Sequence, residues 1–424
     1  MKIAVVEFAA RGGLIQYAFQ LCRALADSGA GVVLITDRHY ELAQLPHRFR
    51  VDTSLRLWDP KPAGRISLSR AARVARSARR IVRAAAYQAA WVRTIAVLRR
   101  ERPDIVQFGD FRFASDLVWL RLLRALGFTL ADICHNVLPF ASGGSARVRA
   151  SALTRSAYRT IYRQFVRVFV HHESNRTAFL SAFDLPPERV VAIPHGNEEV
   201  FAEVRDPSCT AESLRRRLGL TADTPVVLLF GTLAGYKGCD ALIEAFTAVV
   251  ERVPNARLVI AGYPAPGFDL AGHRALAARL GLADVVTFVP GYIETPHTAA
   301  WMDLATVVAL PYHTIFQSGA AMLAQTFGVP VVATRVGSMA ESIRDGETGL
   351  IVPPGDRGGL AAALISILRD PELQKRMGDA GRRHARVDAA WAELSRIILT
   401  EYSNRVAARA EAAKNHVALT ENSA

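Results

Sequence analysis

The sequence has little of several residue types, and each scarcity narrows what the protein can be. Only four of its 424 residues are cysteine, no two of them have CxxC spacing, and they lie at Cys22, Cys134, Cys209 and Cys239. This argues against a zinc site or a disulfide framework and fits a reducing cytosol. No stretch approaches the ~18 uncharged apolar residues of a membrane span. The opening residues MKIAVVEF predict a strand and not a signal peptide.

Lysine is also scarce, with five residues against 47 arginines, and acidic residues are absent between Lys61 and Arg100. Residues 1–200 hold 30 Lys and Arg against 16 Asp and Glu, whereas residues 201–424 hold 22 against 23. The net charge of +13 therefore lies in the first half of the chain. Such an asymmetry favours an anionic partner for that half.

The hydrophobic pattern predicts two α/β domains in tandem. In the first half, apolar runs such as KIAVVEF and GVVLIT alternate with amphipathic segments, and the second half restarts this pattern with PVVLLFG and ARLVIAGY. Strands that alternate with helices predict a doubly wound parallel sheet. We place the two Rossmann-like domains at residues 1–200 and 201–385 and expect a disordered tail at 411–424.

Ligands bind at the carboxyl ends of parallel strands, so we expect the functional residues in strand-to-helix loops. Gly12 and Gly13 follow the first strand and either contact a diphosphate or form a tight turn. His135 ends another strand and either hydrogen-bonds a reacting sugar or is a satisfied polar residue there. His195 lies near the end of the first domain, where we expect a hinge to the second, and turn chemistry alone would also explain it.

The second half contains two further candidate loops. FGTLAGYKG contains Lys237, whose ammonium and neighbouring backbone amides suit phosphate oxygens, although the spacing is not that of a P-loop. Ser318 and Gly319 begin a helix, either as a second phosphate contact or as an ordinary N-cap. Glu341 opens another helix, where it accepts hydrogen bonds from sugar or ribose hydroxyls or simply complements the helix dipole.

These segments together resemble glycosyltransferase family 4, retaining enzymes of the GT-B fold. The most specific match is GVPVVATRVGSMAESIRDGETGLIVPPGD at 328–356, supported by IPHGN, GTLAGYKGCDALIEAF and the Gly-Gly after the first strand. The resemblance spans about residues 2–390. It implies two facing Rossmann-like domains and a helix at 386–410 that packs back on the N-terminal domain.

The resemblance also implies roles for individual residues. His135 would lie near the donor sugar and act in catalysis with Lys237. The diphosphate of a nucleotide-sugar would be bound by Gly12, Gly13, Gly231, Thr232, Lys237, Gly238, Ser318 and Gly319. The nucleobase and ribose would be contacted by Tyr292, Ile293 and Glu341.

Two positions depart from the family pattern. The arginine that usually precedes the lysine by three residues is replaced by Ala234. The two acids that usually stand eight residues apart fall at Ile315 and Leu323, neither of which can hydrogen-bond a hydroxyl. The sequence therefore resembles a subgroup in which Gln-Ser-Gly replaces the loop between the two acids. The residues that bind the donor sugar and the ribose are left open.

The segment RAARVARSARRIVR predicts a basic amphipathic helix whose other side is mostly alanine. Its basic side would carry Arg70, Arg73, Arg76, Arg80 and Arg83. A second cluster comprises Arg147, Arg149, Arg155, Arg159, Arg163 and Arg167. Contact with an anionic membrane, a nucleic acid or solvent alone would each explain the charge. We favour the membrane and expect no nucleic acid, because the resemblance places an often lipid-linked acceptor on this half.

The expected protein is a cytoplasmic, membrane-peripheral glycosyltransferase. It would transfer a hexose, with retention, from a nucleotide-diphospho-sugar to a glycan or lipid-linked acceptor in polysaccharide or glycoconjugate biosynthesis. The departing diphosphate would help to deprotonate the acceptor, so no metal or other cofactor is expected. Two alternatives are a nucleotide-sugar epimerase or hydrolase on the same fold and a catalytically inactive nucleotide-binding paralogue.

Overall fold

The computed structural model describes residues 1–57, 70–111, 113–136 and 152–421. In these ranges the first domain contains a parallel sheet of seven strands in the order β3-β2-β1-β4-β5-β6-β7. The strands are β1 Lys2–Val6, β2 Gly31–Ile35, β3 Arg50–Asp52, β4 Ile105–Phe108, β5 Leu130–Cys134, β6 Arg167–His171 and β7 Val190–Ile193. The helices are α1 Gly13–Asp27, α2 Arg70–Glu101, α3 Asp116–Ala125, α4 Ala152–Tyr162 and α5 Glu173–Phe183.

The second domain contains a parallel sheet of six described strands in the order β10-β9-β8-β11-β12-β13. They are β8 Val226–Phe230, β9 Arg257–Gly262, β10 Val286–Pro290, β11 Val307–Leu310, β12 Val331–Thr334 and β13 Gly349–Val352. The helices that lead into and surround this sheet are α6 Val200–Glu203, α7 Ala211–Leu218, α8 Cys239–Arg252, α9 Leu270–Arg279, α10 Thr298–Leu304, α11 Gly319–Phe327, α12 Met339–Ser342, α13 Arg357–Arg369 and α14 Pro371–Val387.

Helices cover both faces of each sheet, which explains why the central strands are almost entirely apolar. All five residues of β8, VVLLF, are buried, as are all five of β5. The predicted pair of doubly wound, Rossmann-like domains is confirmed. The predicted division after residue 200 falls within α6, and α6 and α7 both pack on α10 of the second domain.

The last helix, α15 Trp391–Glu421, returns to the first domain and packs along α1. Ser395 hydrogen-bonds Ser28 at 2.9 Å, Glu401 pairs with Arg167 at 2.6 Å, and the Tyr402 hydroxyl donates to Gln107. The disordered tail expected at 411–424 is corrected, since the chain is helical up to Glu421. Alanine-rich, charged sequence has high helix propensity, which explains the continuation. Residues 422–424 lie outside the described ranges.

The chain crosses between the domains twice, and the two crossings touch. The Asn197 amide donates to the Ala389 carbonyl at 2.8 Å, and the Trp391 indole N–H donates to the Asn197 carbonyl at 2.9 Å. The Trp391 ring lies directly against Gly196, which has a φ of 90°. A side chain at position 196 would be strained by that φ and would collide with the indole, so glycine is required there.

Candidate active site

The lysine predicted to bind phosphate lies at the bottom of the loop that follows β8. Lys237 is only 7% exposed, its ammonium donates to the Phe230 carbonyl at 3.2 Å, and it lies 5.2 Å from the centre of the Tyr312 ring. Burial lowers the pKa of Lys237. A carbonyl and an aromatic face hold the ammonium in place without neutralising it, so its charge remains available to an anion.

The β11–α11 loop lies beside the lysine loop. The His313 amide donates to the Tyr236 carbonyl at 2.8 Å, which joins the two loops. Ser318 is the N-cap of α11, but its hydroxyl makes no cap hydrogen bond. The helix therefore begins without side-chain capping of its first amides, which is the geometry that favours an anion. The structure thus brings Lys237 and the Ser318–Gly319 step into adjacent loops of one domain.

Gly319 is also the point where α11 approaches the first domain. A Cβ at this glycine would lie 3.6 Å from Oε1 of Glu198 and 3.8 Å from Nε2 of His195. Burial raises the pKa of Glu198 to about 8, an effect that a hydrogen bond from Gln20 partly offsets. A neutral carboxylic acid beside the helix N-terminus does not repel an approaching phosphate as a carboxylate would.

His135 is partly exposed and belongs to a cluster of three imidazoles around the ring of Tyr17, in which His171 and His195 are buried. The centre of the Tyr17 ring lies 4.6, 5.4 and 5.6 Å from the centres of these three rings. Burial and the neighbouring imidazoles lower the pKa of His135 to about 3 and that of His171 well below its ordinary value. Burial also lowers the pKa of His195 to about 4. The cluster is therefore neutral at physiological pH.

The first-domain glycines and the predicted base loop meet at Glu41, a residue that the sequence did not single out. Its carboxylate accepts hydrogen bonds from the Gly12 amide at 3.1 Å and from Thr295 at 2.9 Å, and the Tyr292 hydroxyl also donates to it. Gly13 is the first residue of α1, and Ile293 is partly buried against the apolar core. Glu41 thus links the two sides of the cleft.

Glu341 reaches across the cleft and caps a helix of the first domain. Its carboxylate accepts hydrogen bonds at 2.9 Å from the amides of Glu173 and Ser174, at the start of α5. Partial burial opposes ionisation, but hydrogen bonds from the Ser174 hydroxyl and from these two amides outweigh it and lower the pKa of Glu341. The carboxylate is engaged by α5, and the ribose contact implied for it stays a prediction.

A cavity of about 170 Å³ opens at the carboxyl ends of β4 and β5 beside His135. Asp132 lies in its wall, is 1% exposed, and has an Oδ1 atom with no hydrogen-bond partner. Burial and the charge of Asp110 raise the pKa of Asp132 well above its ordinary value. A cavity lined by a protonated carboxyl, an imidazole and a tyrosine suits a hydroxyl-rich ligand better than an anion.

The predicted basic face is described only in part. The backbone of α2 is helical from Arg70, and Arg83 is exposed next to Ile81 and Val82, which are 70% and 46% exposed. The side chains of Arg70, Arg73, Arg76 and Arg80, and all of Arg147 and Arg149, lie outside the described part of the chain. Within that part, no helix combines the length and the apolar character needed to cross a membrane, and no cluster of three or more His, Cys, Asp or Glu is arranged to hold a metal ion.

Two family models match consecutive parts of the chain. Residues 11–198 match the model described as Glycosyltransferase Family 4, and residues 210–384 match Glycosyl transferases group 1. The chain belongs to glycosyltransferase family 4. The family predicted from the sequence is therefore confirmed.

Among curated relatives, this family 4 chain is 32% identical over 229 residues to D-inositol 3-phosphate glycosyltransferase of Corynebacterium glutamicum. That alignment covers 53% of the chain and 54% of the relative, so the chain spans about half the length of this protein. Among solved structures, sucrose-phosphate synthase from Thermosynechococcus elongatus is similar with a TM-score of 0.69 and 23% identity, over 96% of this chain and 99% of that one. Anabaena HepE in complex with UDP has a TM-score of 0.67 and 20% identity, over 95% and 100%. The structural likenesses show the shared GT-B fold.

Several residues of this family 4 site were missed by the sequence reasoning. Tyr17 and Glu198 lie in segments whose sequence indicates only glycine-rich turns, and no function was predicted for His171. Glu7 is 3% exposed at the end of β1, and its Oε2 lies 3.5 Å from the Cβ position of Gly109. The usable signal was a polar residue at the carboxyl end of an apolar strand, a rule that selects Glu7 and His171 as well as His135.

Proposed function

We propose that the protein is a glycosyltransferase that moves a hexose from a nucleotide-diphospho-sugar to a glycan or lipid-linked acceptor. The observation that carries this proposal is the position of Lys237 beside the start of α11, opposite the imidazole cluster of the first domain. A cation and a helix N-terminus in adjacent loops form a site for a diphosphate. The similar protein HepE was solved in complex with UDP, which supports a nucleoside diphosphate as the ligand of this site.

In the proposed reaction, the bond between the sugar and the diphosphate breaks, and negative charge grows on the departing phosphate. Lys237 and the first amides of α11 would stabilise that charge, which lowers the barrier. His135 and the cavity beside Asp132 would position the sugar and the acceptor hydroxyl. Transfer would proceed with retention: the acceptor oxygen would bond to the anomeric carbon on the face that the diphosphate leaves, and the diphosphate would take up the acceptor proton. No metal is needed in this scheme, because the protein itself supplies the positive charge.

The acceptor is proposed from the first domain. The cavity beside Asp132 suits a hydroxyl-rich group, and the relative from Corynebacterium glutamicum is named for a phosphorylated polyol. We therefore propose a polyol or glycan head group at this cavity. A lipid-linked acceptor and a role in envelope polysaccharide assembly would agree with the basic first half of the chain.

The proposal is tested by measuring the shift in melting temperature with a panel of nucleoside diphosphates and nucleotide-sugars. At 100 times Kd a bound donor stabilises the folded state by about 2.7 kcal/mol, which is readily detected. Incubation of the selected donor with and without acceptors then separates the enzyme classes. Product formed only with an acceptor supports a transferase, whereas epimer or free sugar formed without one supports the epimerase or hydrolase. Donor binding without any product would indicate an inactive paralogue.

We also propose peripheral binding to an anionic membrane through α2, at the cytoplasmic face. Arg79 and Arg83 are exposed there next to the exposed Ile81 and Val82. Each basic residue near an anionic surface contributes about 1 kcal/mol. Co-sedimentation with phosphatidylserine and phosphatidylcholine vesicles tests this, with Arg79→Gln/Arg83→Gln expected to weaken binding to the anionic vesicles. The control Arg216→Gln/Arg386→Gln removes the same charge from the second domain and should have no effect. Equal recovery with both vesicle types would contradict the proposal.

A further inference from the structure

In the imidazole cluster, His171 lies against both His135 and His195, and the nitrogens that join it to His135 have defined partners. Nδ1 of His135 lies 3.2 Å from Nε2 of His171. Nδ1 of His171 lies 3.3 Å from the carbonyl oxygen of Pro194. These two contacts determine where the protons are, because a neutral imidazole has one donor nitrogen and one acceptor nitrogen.

The Pro194 carbonyl fixes the state of His171. A carbonyl oxygen only accepts hydrogen bonds, so Nδ1 of His171 carries the proton. The ring is fully buried and neutral, since burial lowers its pKa well below the ordinary value. Nε2 of His171 is therefore an acceptor, and its lone pair faces His135.

His171 in turn fixes the state of His135. With an acceptor at 3.2 Å, Nδ1 of His135 must be the protonated nitrogen, which leaves Nε2 with a free lone pair. The opposite assignment would direct the Nδ1 lone pair of His171 at the Pro194 oxygen. Nε2 of Gln317 lies 3.4 Å from the same Nδ1 of His135. In this orientation the carboxamide oxygen of Gln317 has no hydrogen-bond partner. Rotating the amide by 180° exchanges its nitrogen and oxygen, and the oxygen then accepts a hydrogen bond from Nδ1 of His135.

The free nitrogen of His135 faces the candidate site. Nε2 lies 3.6 Å from the Cβ position of Gly109, and Oε2 of Glu7 lies 3.5 Å from that same point. Gly109 and His135 both line the cavity at the ends of β4 and β5. Gly109 thus leaves space open next to the Nε2 acceptor of His135, an arrangement that suits a donating hydroxyl.

We propose that His171 is a positioning residue that holds His135 in its Nδ1–H tautomer, so that Nε2 of His135 accepts a hydrogen bond from a hydroxyl group of a bound sugar. The identity of that hydroxyl rests on the proposed function, whereas the tautomer does not. The relay runs from the Pro194 carbonyl through His171 to His135. Its effect is that the reacting side of the cleft presents an acceptor and not a donor to the sugar.

The tautomer is measured directly by long-range ¹H–¹⁵N correlation spectroscopy on protein labelled with ¹⁵N in its histidine rings. The chain has 11 histidines, and the signals of His135 are identified by their loss in His135→Gln. We expect the wild-type spectrum to show His135 with a protonated Nδ1 and an unprotonated Nε2. A protonated Nε2 in the wild-type protein would overturn the proposal, and this result needs neither donor nor turnover.

Two variants of His171 test the cause. His171→Phe keeps a planar ring but removes the acceptor, so His135 should shift towards the Nε2–H tautomer. His171→Gln offers a carboxamide oxygen at the position of Nε2 and should keep the wild-type tautomer. If His135 retains a protonated Nδ1 in folded His171→Phe, then His171 does not set the tautomer.

Kinetics with the donor selected by the binding screen provide a separate readout. His171→Phe should lower kcat about tenfold, the effect of one hydrogen bond lost from the transition state, with little change in the donor KM. His171→Gln should restore most of kcat. An unchanged kcat in His171→Phe, despite the altered tautomer, would overturn the sugar contact but leave the tautomer assignment intact. A failure to find any donor would instead count against the proposed function.

Discussion

Lys237 and His135 both lie at the carboxyl edge of a buried parallel sheet, yet the two domains treat charge in opposite ways. The second domain buries a cation and places it beside the start of α11. The first domain places the imidazoles of His135 and His171 and the carboxyl of Asp132 at this edge, and desolvation favours their neutral forms. A departing diphosphate needs fixed positive charge, whereas a sugar needs directional hydrogen bonds. The difference agrees with the proposed function, in which the second domain would bind the departing diphosphate and the first domain would bind the sugar hydroxyls.

The largest effect is expected from removing the buried cation. Lys237→Ala should lower kcat/KM by about 10²–10³-fold, the typical cost of losing one group that stabilises charge in the transition state. Lys375→Ala is the matched control, since Lys375 is a lysine of the same domain whose side chain is 73% exposed. Kinetics with the donor found in the screen measure both. Equal activity of the two variants would contradict the proposal that the second domain stabilises the departing diphosphate through Lys237.

The neutral imidazoles predict a loss of stability in acid. Histidine has an ordinary pKa near 6.5, so below this pH the unfolded chain binds protons that His135, His171 and His195 in the folded protein do not. The free energy of unfolding should therefore fall as the pH drops from about 6.5 towards 4, by up to about 1.4 kcal/mol per pH unit for each histidine.

Urea unfolding at pH 7 and pH 5 measures this slope. His171→Phe should show a shallower dependence than the wild type. His39→Gln, whose side chain is 62% exposed, serves as the control and should retain the wild-type slope. Equal slopes in all three proteins would mean that the cluster is hydrated and charged in solution.

Glu198 predicts the opposite dependence on pH. Its pKa is raised to about 8, so between pH 4.5 and 8 the folded protein holds a proton that the unfolded chain has released. The free energy of unfolding should therefore fall as the pH rises through this range, by up to roughly 1.4 kcal/mol per pH unit. Glu198→Gln should remove the dependence and unfold at higher urea than the wild type at pH 8. Glu199→Gln, an exposed neighbour, should leave it unchanged.

The smallest effect is expected at Glu341. Glu341→Gln weakens the cap on α5 and should cost about 0.5–1 kcal/mol of stability, measured by urea unfolding. Nucleotide affinity should be unchanged if the carboxylate acts only as a cap, whereas a ribose contact would raise the Kd as well. Glu212→Gln is the control, because Glu212 lies in the first turn of α7 and is exposed.

Much of the fold was predictable because its strands are continuous apolar runs. VVLLF and LVIAG are buried on both faces of a sheet, so their composition predicts both the element and its environment. The tail at 411–421 was missed because its charge and alanine content suited disorder as well as a helix. The family was predictable because a long motif, 328–356, lies in one continuous segment.

The candidate site was predictable only where one segment contains all that is needed. The loop that ends in Lys237 and the start of α11 are of this kind. The imidazole cluster is not, because Tyr17, His135, His171 and His195 come from four separate elements and meet only through the strand order. Glu41 likewise connects Gly12 with Tyr292. Tyr292 lies 251 positions from Glu41 in the sequence, so no local pattern predicts their contact.

The two crossings between the domains, joined at Asn197, Ala389 and Trp391, restrict how the protein can move. Two adjacent, hydrogen-bonded peptide segments form a hinge, about which we expect the domains to rotate and not to slide past each other. The indole of Trp391 packs on Gly196 at the centre of this hinge. In the proposed function, we therefore expect a donor to enter and the spent nucleotide to leave by rotation of the domains about this hinge.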